Sequence, residues 1–235
     1  MTRANGLGRH YRDGNMNFEL LFQLLLNGLI VGTLYGVVAM CFVLIYKSTQ
    51  IVNFAQGEFL LIGAWVCYAF LVEMQMPFWL GFLFTFLFMM AFGVVLQMVV
   101  LRPMIGEPII SVIMVTIGLS IFFQAATKWI FGATTATYPQ VFETRSVNLL
   151  GMQIETAYIM SFVISLFIMA GFYWFFKYSK LGLAMRATAF DQQVAQSLGI
   201  SVKTVFAMSW AISALVSGVA GIVIDQNKSF HYDAS

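Results

Sequence analysis

The chain has 235 residues, of which 60% are apolar and only 9% charged, with a formal net charge of +2. A soluble domain is roughly a quarter charged, so a soluble fold is excluded, and the mean hydropathy of +0.86 agrees. Abundant aromatics and unperiodic glycines exclude disorder and collagen-like repeats, and so small a net charge suggests no nucleic-acid partner. What remains is an all-α, polytopic membrane protein.

A bilayer core of about 30 Å needs roughly 20 helical residues, and the charges delimit six stretches that qualify. Residues 1–15 form a polar extension containing Arg3, Arg9 and Arg12, and Met16 is an alternative start. The membrane domain is expected over 16–224. The first apolar run, Leu20 to Tyr46, is too long for a signal-peptide core and no small-residue cleavage site follows it. It contains Gly28, Gly32 and Gly36, a spacing that lets a second helix approach closely in lipid. Phe59 to Val72 is short, and Asn53 to Glu58 extend it. Met74 to Leu101, Ile109 to Thr127, Thr156 to Phe176 and Thr204 to Ile224 supply the other spans. The last holds Ser213, Ser217 and Gly221, with Ala214 and Gly218 beside them; two closely packed helices are implied, with the first and sixth as candidate partners. The runs do not alternate with period two, so a barrel is excluded. A polar tail is expected over 225–235.

The distribution of Lys and Arg sets the orientation. The loop 177–203, with Lys177, Lys180, Arg186 and Lys203, is the best cytoplasmic candidate, and alternation then puts Lys47 and Arg102 inside and Lys128 and Arg145 outside. Arg3, Arg9 and Arg12 fall outside and break the rule, which favours Met16 as the start or an error in an early span. Cys41 and Cys67 lie in apolar runs and His10 and His231 in the polar ends, so no metal-ligand spacing occurs and no metal is expected.

The segment Asn53 to Phe59 admits two readings. Asn53 and Gln56 have the spacing of a capping box, with Glu58 in the first helical turn favoured by the helix dipole. Alternatively Asn53, Gln56, Gly57 and Glu58 lie below the headgroups and line a solute path, because a carboxylate within a span tends to be paired or to face water. In the loop 177–203, Leu183, Ala187, Phe190, Val194 and Leu198 recur at four, three, four and four residues, one apolar face of a helix that Gly199 closes. Such a helix lies along the membrane or docks into a soluble partner.

No phosphate-binding G-x-x-x-x-G-K-[ST] run, H-E-x-x-H or G-x-S-x-G occurs. With no His in a span, an intramembrane enzyme is disfavoured. A secondary transporter or channel, independent of ATP, is the alternative class; it would usually carry more intramembrane charge. A conduit driven by an external engine fits better.

The stretch Asn53-Phe54-Ala55-Gln56-Gly57-Glu58-Phe59, preceded by Leu44-Ile45-Tyr46, resembles the N-F-A-H-G-E-F signature of LivH-type permeases of ABC importers for branched-chain amino acids, with Gln56 where His is common. Gly182-Leu183-Ala184-Met185-Arg186-Ala187, with Asp191, Ala195 and Leu198-Gly199-Ile200, resembles the family's cytoplasmic coupling loop, and Asn27-Gly28 through Tyr35-Gly36 also matches. The likeness runs from about Met16 to Ile224. It implies a multi-pass permease of the bacterial inner membrane with no ATPase site of its own. The implied partners are a second permease subunit, two cytoplasmic ATP-binding subunits that hold ATP and Mg, and a periplasmic substrate-binding protein. It assigns ATPase coupling to Leu183, Arg186, Ala187, Phe190, Asp191, Ala195 and Gly199. Branched-chain amino acids are the expected solute, although similar permeases serve urea, amides or aromatic acids. Such permeases usually continue for about two more spans, so a truncated or frameshifted end is expected after Ile224.

Overall fold

The computed structural model describes residues 18–132, 146–149 and 152–229; the extension expected over 1–15 lies outside them. Helix α1 (Phe18–Thr49) continues past the uncharged run to Thr49. There the Ser48 and Thr49 hydroxyls donate to the carbonyls of Leu44 (2.9 Å) and Ile45 (2.7 Å), and Gln50 at φ 59° turns the chain away. Helix α2 (Gln56–Tyr68) runs on through a π-helical turn, Ala69–Glu73. After Pro77, α3 (Phe78–Leu96) continues through a second π turn, Gln97–Leu101, and a short 3-10 turn, Arg102–Met104. Helix α4 (Ile109–Phe131) ends at Gly132, whose φ of 82° is available to glycine at little cost. An antiparallel hairpin, β1 (Ser146–Leu149) with β2 (Met152–Glu155), precedes α5 (Thr156–Tyr178). Two short helices, α6 (Lys180–Phe190) and α7 (Gln192–Ser197), lead to α8 (Val202–Ser229). Six of these helices are long and apolar enough to cross a membrane.

Helix α8 is the hub. In its span 67% of the most apolar window is buried, against 17–33% in the other five, so α8 is enclosed by protein while its neighbours keep a lipid-facing side. It packs on α1, α2 and α3. Close approach depends on missing side chains, as expected where lipid supplies no hydrophobic drive between helices. A Cβ on Gly63 would collide with the Gly218 backbone, one on Gly221 with the Leu60 backbone, and one on Gly93 would lie 2.5 Å from the Trp210 carbonyl oxygen. Trp210 and Phe59 pack together, both almost fully buried, their rings edge-to-face at 6.0 Å, with Phe92 edge-to-face with Phe59 at 5.5 Å. At the N-terminal end of α8, Val202, Val205 and Phe206 join Leu44 of α1, Phe172 of α5 and Met185 of α6 in one apolar cluster. Thus α6 is anchored where α1 and α5 end and α8 begins.

The sequence reading and the structure differ in four places. The loop 128–155 contains a hairpin. The single amphipathic helix of 177–203 is two helices, broken at Asp191, whose extended backbone (φ −156°, ψ 117°) cannot continue a helix. The polar tail begins as helix, since α8 runs to Ser229, and 230–235 lies outside the described residues. The glycine face of α1 is not what packs on α8: Gly28 and Gly32 meet no heavy atom within 4 Å of an added Cβ, and Gly36 meets only the Met169 sulfur at 4.0 Å. It is Val37, Cys41 and Leu44 of α1 that share a cluster with α8.

Candidate functional site

The turn between α1 and α2 does not form a capping box. Asn53 Oδ1 accepts from the Ala55 backbone N–H at 3.0 Å, an Asx turn, and α2 starts at Gln56 with Ala55 as a cap residue that offers no side-chain bond. Asn53 Nδ2 instead donates to Gln56 Oε1 at 3.2 Å. The Gln56 amide, fully buried, is the centre of a small network. Its Nε2 donates to Ser217 Oγ. Ser213 Oγ lies 3.2 Å from Gln56 Oε1 and 3.3 Å from the Cys41 carbonyl, so one hydroxyl proton is shared between two acceptors. Asn53, Gln56, Ser213 and Ser217 thereby tie α1, α2 and α8 together with each polar side chain bonded. Burial of these groups without such bonds would be costly.

The network also gives the depth of this segment. At about 1.5 Å per helical residue, Ser213 and Ser217 stand roughly 16 and 22 Å along α8 from Val202. By the same measure Cys41 lies about 12 Å back from the end of α1 at Thr49. The chain folds back after α1, and α2 starts inside the slab that the spans define.

Glu58 is on the other side of α2. It is half-buried, and Ser120 Oγ donates to its Oε1 at 3.3 Å. Ser120 stands roughly 16 Å from Ile109, at the middle of α4. One turn earlier on α4, Thr116 Oγ1 bonds the carbonyls of Ile113 (2.9 Å) and Val52 (3.4 Å), which holds α4 against the α1–α2 turn. Gly57 is exposed and nothing lies within 4 Å of where its Cβ would be; Leu61, one turn on, is also exposed. The four residues read as a solute path therefore divide. Asn53 and Gln56 are packed within the chain, and Gly57 and Glu58 border open space beside α4.

The helices α6 and α7 expose apolar side chains. Ser179 caps α6 by accepting from the Gly182 N–H at 2.8 Å, and Asp191 caps α7 by accepting from Gln193 (2.8 Å) and Val194 (3.0 Å). Gly182, Met185, Thr188 and Ala195 face inward. Gly182 touches the end of α5, where a Cβ would lie 2.7 Å from the Phe175 carbonyl oxygen. Leu183, Val194 and Leu198 face outward, and Phe190 is 96% exposed. Arg186, Asp191 and Gly199 are exposed with them, Ala187 is half-buried, and Gly199 takes φ 84° at the turn into α8.

Of the residues singled out for helix packing, Ser217 and Gly221 lie in the buried α2–α8 contact, while Gly28 and Gly32 are exposed. Ser120, Thr116 and Trp210 belong to the site and its support yet carry no motif. Their sequence signal was limited to polar residues at helical spacing on α4 and a lone Trp in α8. Among the described residues, no group of three or more His, Cys, Asp and Glu side chains is placed to hold a metal.

Apolar helices around an enclosed small-residue helix, with two anchored helices at one end, define a polytopic helical membrane protein. The chain belongs to the family described as the permease component of branched-chain amino acid transport systems, whose model matches residues 24–228. It is 27% identical over 221 residues to the high-affinity branched-chain amino acid transport permease protein LivH of Salmonella typhimurium, covering 89% of this chain and 72% of the relative, and the same figures hold for LivH of Escherichia coli. Against the permease protein BraD of Pseudomonas aeruginosa it is 29% identical over 216 residues, 86% of this chain and 70% of the relative. No solved structure matches the chain significantly.

Proposed function

We propose that this chain is the membrane-spanning permease subunit of an ABC importer that passes branched-chain amino acids across the inner membrane by alternating access. The relatives' names motivate the solute. The observation that carries the mechanism is the outward apolar surface of α6 and α7. Leu183, Phe190, Val194 and Leu198 stand out from helices whose inner faces are locked to α5 and α8. An exposed Phe flanked by aliphatic side chains on a rigid base suits a groove in a soluble partner. One of two ATPase subunits holding ATP and Mg would grip this surface, with no nucleotide bound by this chain itself. A second permease chain would complete the pathway, and a periplasmic binding protein would deliver solute.

Coupling then follows from rigid connections. Met185 packs in one cluster with Val202, Val205 and Phe206, so displacement of α6 bears on the first turns of α8. Helix α8 is bonded through Ser213 and Ser217 to Gln56, at the start of α2. ATPase closure would therefore shift the population between inward-open and outward-open states at the Gly57–Glu58 face. Reconstitution in proteoliposomes tests the reading. Leucine should accumulate only with ATP and all subunits present. Entry of urea without entry of leucine would overturn the solute, and flux by this chain alone would overturn the class.

A further inference from the structure

Glu58 is a carboxylate in the first turn of α2, level with the middle of α4. Its hydrogen-bond partner among the described residues is a neutral hydroxyl, Ser120. The basic residues of the spans stand at helix ends: Lys47 in the last turn of α1, Lys128 in that of α4 and Lys177 in that of α5, with Arg102 beyond α3. None is at the level of Ser120. An ionised group at this depth is expensive unless it is paired or faces a polar cavity. The neighbouring surface of α2 leaves room for a partner, because Gly57 and Leu61 are exposed and nothing lies within 4 Å of a Cβ built on Gly57.

The geometry points to Glu58, supported by Ser120, as a subsite that takes the ammonium group of a zwitterionic amino acid crossing the membrane. This rests on the transport reading above and adds to it a recognition element for the solute's charge. An ammonium has three donors, enough to bond both Glu58 oxygens and one further acceptor. Ser120 Oγ, which donates to Oε1, fixes the carboxylate rotamer. The open backbone at Gly57 lets a solute approach α2 without meeting a side chain. A neutral amide such as urea would find no charge complement here, so the subsite favours amino acids at a step after release from any delivery protein.

The test uses the complete importer in proteoliposomes. Glu58→Gln should lower leucine uptake at least ten-fold, and Glu58→Asp should restore part of it. A second variant does not depend on transport. Gly57→Cys places a thiol beside the carboxylate, and the native Cys41 and Cys67 are fully buried. A cationic methanethiosulfonate should label this thiol at least five-fold faster than an anionic one, leucine should slow the labelling, and Glu58→Gln should abolish the preference for the cation. Unchanged uptake in Glu58→Gln, or equal labelling by both reagents, overturns the subsite alone. Failure of Glu58→Gln to co-purify with the other subunits also overturns it, since Glu58 would then pair with a basic group of another subunit. No leucine uptake by the unaltered importer overturns the transport reading and the subsite with it.

Discussion

Replacing Gly63 by Ala adds one methyl group at the crossing of α2 and α8. That methyl would overlap the Gly218 backbone, well inside the roughly 3.5–4.0 Å of ordinary carbon–carbon contact, so the helices must part by about 1 Å or more. Backbone cannot rotate out of the way as a side chain can. Overpacking of this kind costs about 1–3 kcal/mol. The separation would also stretch the Gln56 bonds to Ser213 and Ser217, leaving buried polar groups unsatisfied at about 1–3 kcal/mol. Against this, Gly→Ala in a helix returns about 0.5–1 kcal/mol. The net loss is about 1–5 kcal/mol, which lowers the melting temperature of a chain this size by roughly 2–20 °C. Gly28→Ala and Gly32→Ala are the controls, because open space surrounds both positions and only the favourable backbone effect remains. Thermal unfolding of the purified chain in detergent reads all three. Equal melting of Gly63→Ala and the unaltered chain, or an equal loss in Gly28→Ala, would refute the packing around α8.

Gln56→Leu should destabilise the chain by about 1–3 kcal/mol, because Asn53 Nδ2 loses its acceptor and Ser217 its amide donor while Ser213 keeps the Cys41 carbonyl, read by the same melt. Phe190→Ala should leave melting within about 0.5 kcal/mol, since the side chain is almost wholly exposed. In the assembled importer it should let ATP hydrolysis continue while leucine uptake falls; retained coupling would return α6 and α7 to a membrane-surface role. Asp191→Ala should cost about 1 kcal/mol by uncapping α7, and Asp191→Asn much less; amide hydrogen exchange over Gln193 and Val194 measures both. Gln97 is buried in the second π turn and its Nε2 has no partner among the described residues. Gln97→Leu should therefore be neutral or stabilising, by up to about 1 kcal/mol.

The spans were legible because charges are so few that each marks a helix end. Lys47, Glu73, Arg102, Lys128 and Lys177 all lie at or beside an end of a described helix. The break at Asp191 escaped the periodicity reading, since Leu183, Phe190, Val194 and Leu198 all stay exposed although the backbone turns between them. Asp191 itself carried the signal, as a strong helix-capping residue inside an apparent helix. The spacing of Gly28, Gly32 and Gly36 states that a close approach is sterically allowed. It names no partner, and α8 finds its close contacts at Gly63 and Gly93 instead. The depth of Glu58 was illegible because hydropathy counts residues along the chain. The fold-back after Thr49 is visible only through the bonds from Gln56 to the middle of α8.

The most direct measurement is leucine uptake into proteoliposomes containing this chain and the proposed second permease subunit, with and without the proposed ATPase subunits and ATP. Accumulation that requires the ATPases and ATP, and that Phe190→Ala lowers, is the predicted result. Leucine flux at the same rate with the ATPases left out would contradict a conduit gripped at α6 and α7.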